Sequence, residues 1–525
     1  MDIMAPKRNS ETDSLAARGL HRVRRSLAAC VALLLFGAGP AFAQRWFIEP
    51  SIGARVIATS NTTLGGFEAE HDVVIGLRPR LVIHGDSPAL HVAGSVAVDS
   101  VNYARHTQEN VLLPEADLLA RVMPIERFLY VEGTVRALQT NLNPFGARAG
   151  GATTIDNTVT STQYRLSPYI DYEPQLGMHF RARSDLTRTN QNGSAFSLSE
   201  NVGRADFAHH TVSIEQDPRP FGWRLEADRS STRYQGEQTS LTVDLARAIV
   251  NVALNESTTV GLRAGAERNN FALDETRSIY GAQFAWRPSE RTTLETDAEH
   301  RFFGNSWHAR FAHRSPYVTW SVSAFRDIDT TPEALFGLPA TDNVAAALDA
   351  ILTTRFPNPV DRAKQVQDLI NSRGLPSSIP VGISIIAPRV SINNTVTATA
   401  ALLGSTSTVA LSVFRTVLRD AFDSAFLSTG TGITNNRQIG GSLAYSRRLS
   451  PRATATLVID YSRIEALDEV VGGGRTQQGG VRAQISLQVA PKSYTRFGAQ
   501  YRKLGSGVVA GGDESLAFVE LDHAF

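Results

Sequence analysis

Residues 292 to 301 of the chain, TTLETDAEHR, alternate between two kinds of side chain. One set of positions carries Thr, Leu, Thr and Ala, and the other carries Glu295, Asp297, Glu299 and Arg301. Because successive side chains of a β-strand point to opposite faces, this strand has one small or apolar face and one charged face. Such a strand needs an apolar medium on one side and water on the other. If the pattern recurs often enough, the sheet can close into a barrel within a membrane.

The first 43 residues have the layout of a cleaved secretory signal peptide. Arg22, Arg24 and Arg25 form a basic region, Leu27 to Phe36 form a short apolar run, and an Ala-Phe-Ala cleavage site precedes Gln44. The apolar run is too short to span a bilayer. We therefore predict residues 1–43 to be a signal peptide and residues 44–525 to be the mature protein.

The composition of the predicted mature chain excludes several classes of protein. Cleavage of the signal peptide removes six basic and three acidic residues, so the formal net charge changes from +1 to −2. It also removes Cys30, the one cysteine. A near-neutral chain lacks the concentrated basic surface of a nucleic-acid binder. Without cysteine there is no disulfide framework and no thiolate metal site. No later apolar run reaches the eighteen or so residues that a transmembrane helix needs.

About 22 candidate strands, within a range of 20 to 24, can be counted after Gln44 from alternation bounded by turn residues. Every second connection is short, as at His84 to Pro88, Pro174 to Gly177 and Ser450 to Arg452. Most of the intervening connections are longer, and Phe303 to Trp307 is a short exception among them. Bacterial outer-membrane barrels have short periplasmic turns, longer outer loops and an even strand number. The alternation of short and long connections predicts that fold and places the C-terminus on the periplasmic side.

The charged faces of these strands are the predicted lining of a water-filled lumen. A β-sandwich is disfavoured because nothing in the sequence would bury the apolar faces, and a propeller would require a stricter repeat. Closure is also required because lipid satisfies no backbone hydrogen bond. The candidate lumen residues are Arg224, Glu226, Asp228, Arg263, Glu267, Glu295, Asp297, Glu299, Arg301, Arg496 and Arg502.

The last strand, LAFVELDHAF, ends in an aromatic residue, Phe525. Its alternate positions Ala517, Val519, Leu521 and His523 lead back along the same face. A C-terminal aromatic residue on an alternating final strand resembles the signal that the barrel-assembly machinery recognises. Phe525 is therefore the candidate assembly signal, and the barrel-assembly machinery and outer-membrane lipid are expected partners.

Residues 328–389 interrupt the strand pattern and lie, by the order of connections, in an outer loop. Helical spacing of apolar residues predicts one helix from Asp342 to Thr354 and a second from Asp361 to Ser372, which Gly374 ends. Two short amphipathic helices in one loop are consistent with a cap or an inward-folded plug. A loop excursion without a gating role is the alternative.

The sequence contains no recognisable catalytic motif and no metal-binding or cofactor-binding motif. The acidic row of Glu295, Asp297 and Glu299 could in principle supply paired carboxylates. An acidic row with an arginine, Arg301, on the same face of the strand is more typical of the wall of a hydrated lumen. We therefore assign no catalytic residue, no metal ligand and no cofactor to the chain.

Three blocks of sequence resemble the outer-membrane proteins associated with the PEP-CTERM system. They are WRPSERTTLETDAEHRFFGNSWHARFAHRSP (286–316), FPNPVDRAKQVQDLINSRGLP (356–376) and TATAALLGSTSTVALSVFR (397–415). The resemblance extends over essentially the whole mature chain. It implies an outer-membrane barrel of bacteria that make exopolysaccharide and carry exosortase sorting systems, and it supplies no catalytic residues.

The sequence therefore predicts an all-β transmembrane barrel with a short helical outer-loop insert in the outer membrane of a Gram-negative cell. The resemblance implies a role in exopolysaccharide export or surface display, with exopolysaccharide and periplasmic export components as partners. Alternatives from other classes are a general diffusion porin for small solutes, a passive surface anchor and a barrel hydrolase. No nucleic-acid partner is expected.

Overall fold

A computed structural model describes most of the chain after the predicted signal peptide. The described residues are 45–64, 68–141, 143–148, 157–192, 204–235, 240–270, 275–330, 343–376, 379, 390–421, 435–468 and 474–525. The predicted signal peptide, residues 1–43, lies outside them.

Within the described residues, twenty-two antiparallel strands form a single sheet. Their bounds are β1 Arg45–Thr59, β2 Asp72–Asp86, β3 Leu90–Tyr103, β4 Val111–Ile125, β5 Leu129–Asn141, β6 Thr158–Gln175, β7 Met178–Asn192, β8 Arg204–Gln216, β9 Phe221–Tyr234, β10 Leu241–Asn255, β11 Thr258–Asn269, β12 Arg277–Ser289, β13 Thr292–Arg301, β14 Gly304–Arg314, β15 Val318–Thr330, β16 Val390–Leu403, β17 Ser407–Asp420, β18 Asn436–Ser450, β19 Ala453–Ala466, β20 Arg475–Ala490, β21 Ser493–Ser506 and β22 Gly512–Ala524.

The sheet closes on itself because the first strand pairs with the last. Ser51 of β1 lies opposite Ala524 of β22, and the register continues to Thr59 opposite Leu516. Each of the other strands pairs with its neighbours in sequence, so every strand has a hydrogen-bonded partner on both sides. Closure satisfies the backbone polar groups that lipid cannot satisfy. The predicted closed barrel of about 22 strands is confirmed.

The two faces of the wall differ as the alternation predicts. Leu225, Val250 and Leu262 lie on one face and are exposed. The register places Val250 of β10 between Trp223 of β9 and Leu262 of β11, and Leu225 lies two residues from Trp223 on the same face. The other face carries polar and charged side chains. Many of them are buried, and these include ionisable side chains. The apolar face points to lipid, and the charged face points into the lumen.

One end of the barrel carries the short connections and the other carries most of the long ones; we call them the short-turn end and the long-loop end. The exception at the long-loop end is the connection between β13 and β14, a two-residue turn of Phe302 and Phe303. The sequence predicted this short turn a few residues later, at Phe303 to Trp307. Gly304 follows the turn at φ +100°, a conformation that favours glycine.

Two helices lie between β15 and β16. Helix α1 spans Asn343–Leu352 and helix α2 spans Pro359–Arg373. The Asn358 side chain accepts hydrogen bonds from the first backbone N–H groups of α2, and Gly374 ends the helix in the left-handed conformation. Among the described residues, the helices are too short or too polar to span a bilayer. Both helices lie close to the positions that their apolar spacing predicts.

Candidate functional site in the barrel lumen

A network of ion pairs covers the inner wall over strands β9 to β15. Arg247 of β10 lies at its centre, where Nη1 is 3.1 Å from Glu226 Oε1 and 3.4 Å from Asp228 Oδ2. Its Nη2 donates to Glu299 Oε1 at 2.7 Å. Arg263 of β11 lies 3.3 Å from the same Glu299 carboxylate. Strand register brings these residues together, because equivalent inward positions of neighbouring strands lie about 5 Å apart.

Arg301, at the long-loop end of β13, is the most enclosed cation of this network. Its Nε donates to Glu267 Oε2 at 3.0 Å, and its Nη1 donates to Asp327 Oδ1 at 2.9 Å. Glu299 Oε1 lies 3.8 Å from the same guanidinium. The Glu267 carboxylate also accepts the backbone N–H of Phe302 at 2.5 Å. This set of contacts fixes the tight turn between β13 and β14 against the inner wall.

The other predicted lumen residues also form ion pairs, some at the edge of this network and some on other strands. Arg224 pairs with Glu226 at 2.6 Å, and Glu295 pairs with Arg287 at the short-turn end. On the far side of the ring of strands, Arg496 contacts Asp522 and Arg502 lies 3.5 Å from Glu514. The structure thus groups the candidates of β9 to β13 together and places Arg496 and Arg502 in other clusters.

The acidic row of β13 is divided among different cations. Glu295 faces Arg287, Asp297 lies 3.3 Å from Arg263, and Glu299 is shared by Arg247 and Arg263. Charge compensation of this kind stabilises a polar wall. Each carboxylate of the row is engaged in an ion pair with a cation of the inner wall.

Sequence reasoning did not single out three residues of the network, namely Arg247, His308 and Asp327. His308 lies 3.3 Å from Asp297 and 3.4 Å from Asp327. They lie on β10, β14 and β15, strands for which no lumen residue was predicted, and each faces the lumen with its ion-pair partners. The alternation of side chains indicated that these residues face the lumen. A list of charged residues does not indicate which of them form ion pairs.

A further set of charges covers strands β1 to β7 on the inner wall. Arg55 pairs with Asp99 at 2.7 Å, Arg136 lies 3.6 Å from Asp117, and Arg183 lies 3.2 Å from Glu132. Most of the circumference of the lumen is therefore lined by paired charges.

Strands β16 to β18 provide a different wall. Their inward positions are mainly small and uncharged, and many are buried although they face a lumen. Examples are Ala401, Ala410, Ser412, Ser442, Ala444 and Ser446. Something inside the barrel must cover these side chains.

Helices α1 and α2 cover this uncharged wall from inside the barrel. Leu348 and Ile351 of α1 and Val366 and Ile370 of α2 form one buried cluster with wall residues that include Ala444. Full burial of one such aliphatic side chain contributes about 1.5 to 3 kcal/mol. The apolar faces of the two helices are therefore used to pack against the wall and against each other.

Hydrogen bonds hold the C-terminus of α2 on the wall. The hydroxyls of Ser446 and Thr456 donate to the Arg373 carbonyl at 2.6 and 3.3 Å. The Gln484 side chain donates to the Gly374 carbonyl at 3.0 Å. These bonds satisfy carbonyl groups that the end of a helix leaves without partners.

The Arg373 side chain reaches the short turn between β16 and β17. Its Nη2 donates to the carbonyls of Gly404 and Ser405 at 3.4 and 2.9 Å. The connection that carries the helices leaves the wall at Thr330 and returns at Val390, both at the long-loop end. Helix α2 therefore extends through the lumen to the opposite end of the barrel.

The connection between β5 and β6 also enters the lumen. The Phe145 carbonyl accepts a hydrogen bond from Thr476 at 3.2 Å, and the Arg148 N–H donates to Gln478 at 3.1 Å. Arg148 Nη1 lies 3.5 Å from Asp460. Burial lowers the pKa of the Arg148 guanidinium to about 10, against the attraction of Asp460. The segment 143–148 thus connects one side of the ring of strands with the wall of β19 and β20.

One ionisable group of α2 is sensitive to its position in the lumen. Burial raises the pKa of the Asp368 carboxyl above its usual range, and nearby Lys364 opposes the shift. The Asp368 carboxyl therefore keeps its proton to a higher pH when the helix occupies the lumen than when it is exposed to water. Within the described part of the chain, the arrangement is thus a charged inner wall with two segments that lie inside the barrel, α1–α2 and 143–148.

Comparisons with known proteins give only distant likeness. No family model and no curated protein matches the chain. Among solved structures, OprD of Pseudomonas aeruginosa is 9% identical with a TM-score of 0.29, and covers 91% of this chain and 95% of its own. The siderophore receptor PirA from Acinetobacter baumannii is 9% identical with a TM-score of 0.43, and covers 91% of this chain and 80% of its own. The ferric citrate transporter FecA is 10% identical with a TM-score of 0.42, and covers 91% and 79%.

At these sequence identities and TM-scores, the likeness concerns the fold alone and carries no argument about function. The fold itself is that of outer-membrane β-barrels, by its closed antiparallel sheet and its apolar outer face.

Proposed function

We propose that the protein is a gated passage across the outer membrane for a hydrophilic polymer, with exopolysaccharide as the substrate. Helices α1 and α2 close the passage, and their displacement opens it. The C-terminus and the short-turn end face the periplasm, where export components deliver the polymer.

The observation that carries the proposal is the position of α2 inside the barrel. Its C-terminus is held by single hydrogen bonds from Ser446, Thr456 and Gln484, and by Arg373 on a turn. Such bonds each contribute about 0.5 to 1.5 kcal/mol and can break one after another. The helices are also a contiguous insertion between two strands, so they can leave the lumen without breaking the barrel wall.

Two further features support the choice of substrate. The lumen wall is hydrophilic over most of its circumference, which suits a hydrated chain more than an apolar solute. The resemblance of three sequence blocks to proteins associated with the PEP-CTERM system adds exopolysaccharide as the expected polymer. Without that resemblance the polymer would be defined by its hydrophilicity alone.

Removal of the helices tests whether they close the passage. Residues 343–376 are replaced by a short Gly/Ser linker, and the variant is compared with the intact protein in planar bilayers. We expect a large increase in conductance, because the linker leaves the uncharged wall uncovered. Equal conductance of the two proteins would contradict the closing role, and equal conductance at a high level would favour a general diffusion porin.

A reversible crosslink tests whether α2 must move. A Cβ atom at Gly374 would lie 3.0 Å from Ser486 Cβ, so a small separation of the two residues gives the Cβ–Cβ distance of about 3.5 to 4.5 Å that a disulfide needs. Since Cys30 lies in the predicted signal peptide, a Gly374→Cys/Ser486→Cys protein contains only the introduced thiols after cleavage. Transport of the polymer by the double variant should stop when the two thiols are oxidised to a disulfide and resume when the disulfide is reduced.

The single variants are matched controls for this experiment. Gly374 has φ +57°, so a cysteine there adds strain of roughly 1 to 2 kcal/mol even without a crosslink. Each single variant should transport equally in oxidising and reducing conditions. If the oxidised double variant transports as well as the reduced one, helix displacement is not part of the mechanism.

The substrate is tested in cells. Loss of secreted polysaccharide in a strain that lacks the gene, with uptake of small solutes intact, is the expected result. Unchanged polysaccharide together with impaired solute uptake would favour the porin. If the variant without the helices neither conducts nor exports, the barrel would be a passive surface anchor.

A further inference from the structure

Three arginines surround one carboxylate on the lipid-facing surface of β7, β8 and β9. Asp206 of β8 lies opposite Arg188 of β7 and Arg233 of β9 in the strand register. Arg188 Nε donates to Asp206 Oδ1 at 2.7 Å, and Arg204 Nη2 donates to Asp206 Oδ2 at 2.9 Å. The three arginines, which we call the β8 triad, lie with Asp206 on the same face of the sheet as the exposed Leu186, away from the lumen.

The same arrangement recurs on β18, β19 and β20. Glu465 of β19 lies opposite Arg437 of β18 and Arg475 of β20, and Arg463 is two residues before Glu465, as Arg204 is before Asp206. Arg437 Nη1 lies 3.8 Å from Glu465 Oε2, and Arg463 contacts the same carboxylate. We call the three arginines the β19 triad. Each triad together with its carboxylate carries a formal charge of +2.

Both triads lie at the long-loop end of the barrel, above the apolar surface. Arg463 follows the exposed Ile459 and Tyr461 along β19. The lipid-facing positions of the short-turn end include exposed apolar and aromatic side chains such as Phe221 and Leu254. The triad arginines of the long-loop end are grouped around a carboxylate, whereas Arg447 at the short-turn end lies opposite the uncharged Ser407.

We propose that each triad binds the phosphate groups of a phosphorylated glycolipid of the lipid A class in the outer leaflet. The planar guanidinium group donates paired hydrogen bonds to phosphate oxygens. The central carboxylate holds neighbouring arginines close together, and three positive charges around one negative charge leave an excess for the ligand. The Arg188 side chain is 52% exposed and the Asp206 side chain 41%, so the surface of the β8 triad is accessible.

The depth of the triads suits this ligand. A charge on the lipid face is strongly unfavourable at mid-bilayer and tolerated near the interface. Arginines near an anionic lipid surface gain attraction that falls off within a Debye length. A lipid whose headgroup carries two phosphates therefore matches the position and the charge of each triad better than a lipid with one phosphate.

The test counts bound lipids by native mass spectrometry of the full-length mature protein in detergent micelles. The probes are diphosphoryl lipid A, monophosphoryl lipid A, phosphatidylglycerol and inorganic phosphate. Arg188→Gln/Arg233→Gln removes two arginines of the β8 triad, and Arg437→Gln/Arg475→Gln does the same in the β19 triad. The matched control is Arg447→Gln, a lipid-facing arginine at the short-turn end, opposite Ser407. Circular dichroism and heat-modifiable migration establish that each variant is folded.

We expect two diphosphoryl lipid A molecules on the unaltered protein and the loss of one in each paired variant. The affinity should fall roughly fivefold for each arginine removed. Arg447→Gln should retain both lipids. Equal binding of the diphosphoryl and monophosphoryl lipids, or equal loss in the control, would overturn the proposal. Displacement by inorganic phosphate or phosphatidylglycerol at the same concentration would identify a general anion surface and overturn the assignment to a glycolipid.

Discussion

Replacement of Arg301 by alanine should destabilise the barrel by about 3 kcal/mol. The Arg301 side chain is 5% exposed and its partner Glu267 is 1% exposed. Removal of one member of a buried ion pair costs about 3 to 5 kcal/mol, because the remaining charge has lost its compensation. The lower end of that range applies, because each carboxylate keeps another partner: Glu267 keeps the Phe302 N–H, Glu299 keeps Arg247, and Asp327 keeps His308.

Arg287→Ala is the matched control for this substitution. Arg287 pairs with Glu295 on the same lumen face, but the two side chains are 64% and 46% exposed. Exposed ion pairs contribute about 0 to 1 kcal/mol. The two variants thus remove the same kind of side chain from pairs that differ in burial.

The measurement is equilibrium unfolding of each protein by urea in phospholipid vesicles, with linear extrapolation to zero denaturant. The loss of unfolding free energy for Arg301→Ala should exceed that for Arg287→Ala by about 2 kcal/mol or more. A loss below about 1 kcal/mol for Arg301→Ala, or equal losses for both, would refute the inference that the network on β9 to β15 stabilises the wall.

Three further predictions concern the lipid face and the two inward segments. Leu262→Arg should cost about 2 to 4 kcal/mol of unfolding free energy, and Leu294→Arg less, because Leu294 lies nearer the short-turn end; equal costs in the urea assay would contradict the assigned depths. Because burial raises the pKa of the docked Asp368 carboxyl, docking of α2 should weaken as the pH rises from 3.8 to the raised value, so conductance should increase over that window. Asp368→Asn should remove this pH dependence, and a persistent dependence would assign it to another group. In the protein without residues 343–376, Arg148→Ser should raise single-channel conductance further by freeing the segment from Asp460; no change would mean that segment 143–148 does not constrict the lumen.

The barrel itself could be predicted from the sequence because its main determinant is local. A period of two assigns each side chain to one face without knowledge of any partner strand, as Leu262 and Arg263 illustrate. The alternation of short and long connections then fixes the order of strands. The helices were equally predictable, since their apolar spacing places both within a few residues and Gly374 marks the end of α2.

Only the tertiary structure decided where those helices lie and which charges meet. The apolar face of α2 requires burial, but the sequence does not say whether a cap or the lumen provides it. The choice depends on the uncharged inner wall around Ala444 and Ser446, which is separated from α2 by more than seventy residues. The partners of Glu299 depend likewise on the register of four strands. Strand periodicity is a property of adjacent residues, whereas docking and ion pairing depend on surfaces that exist only after the barrel has closed.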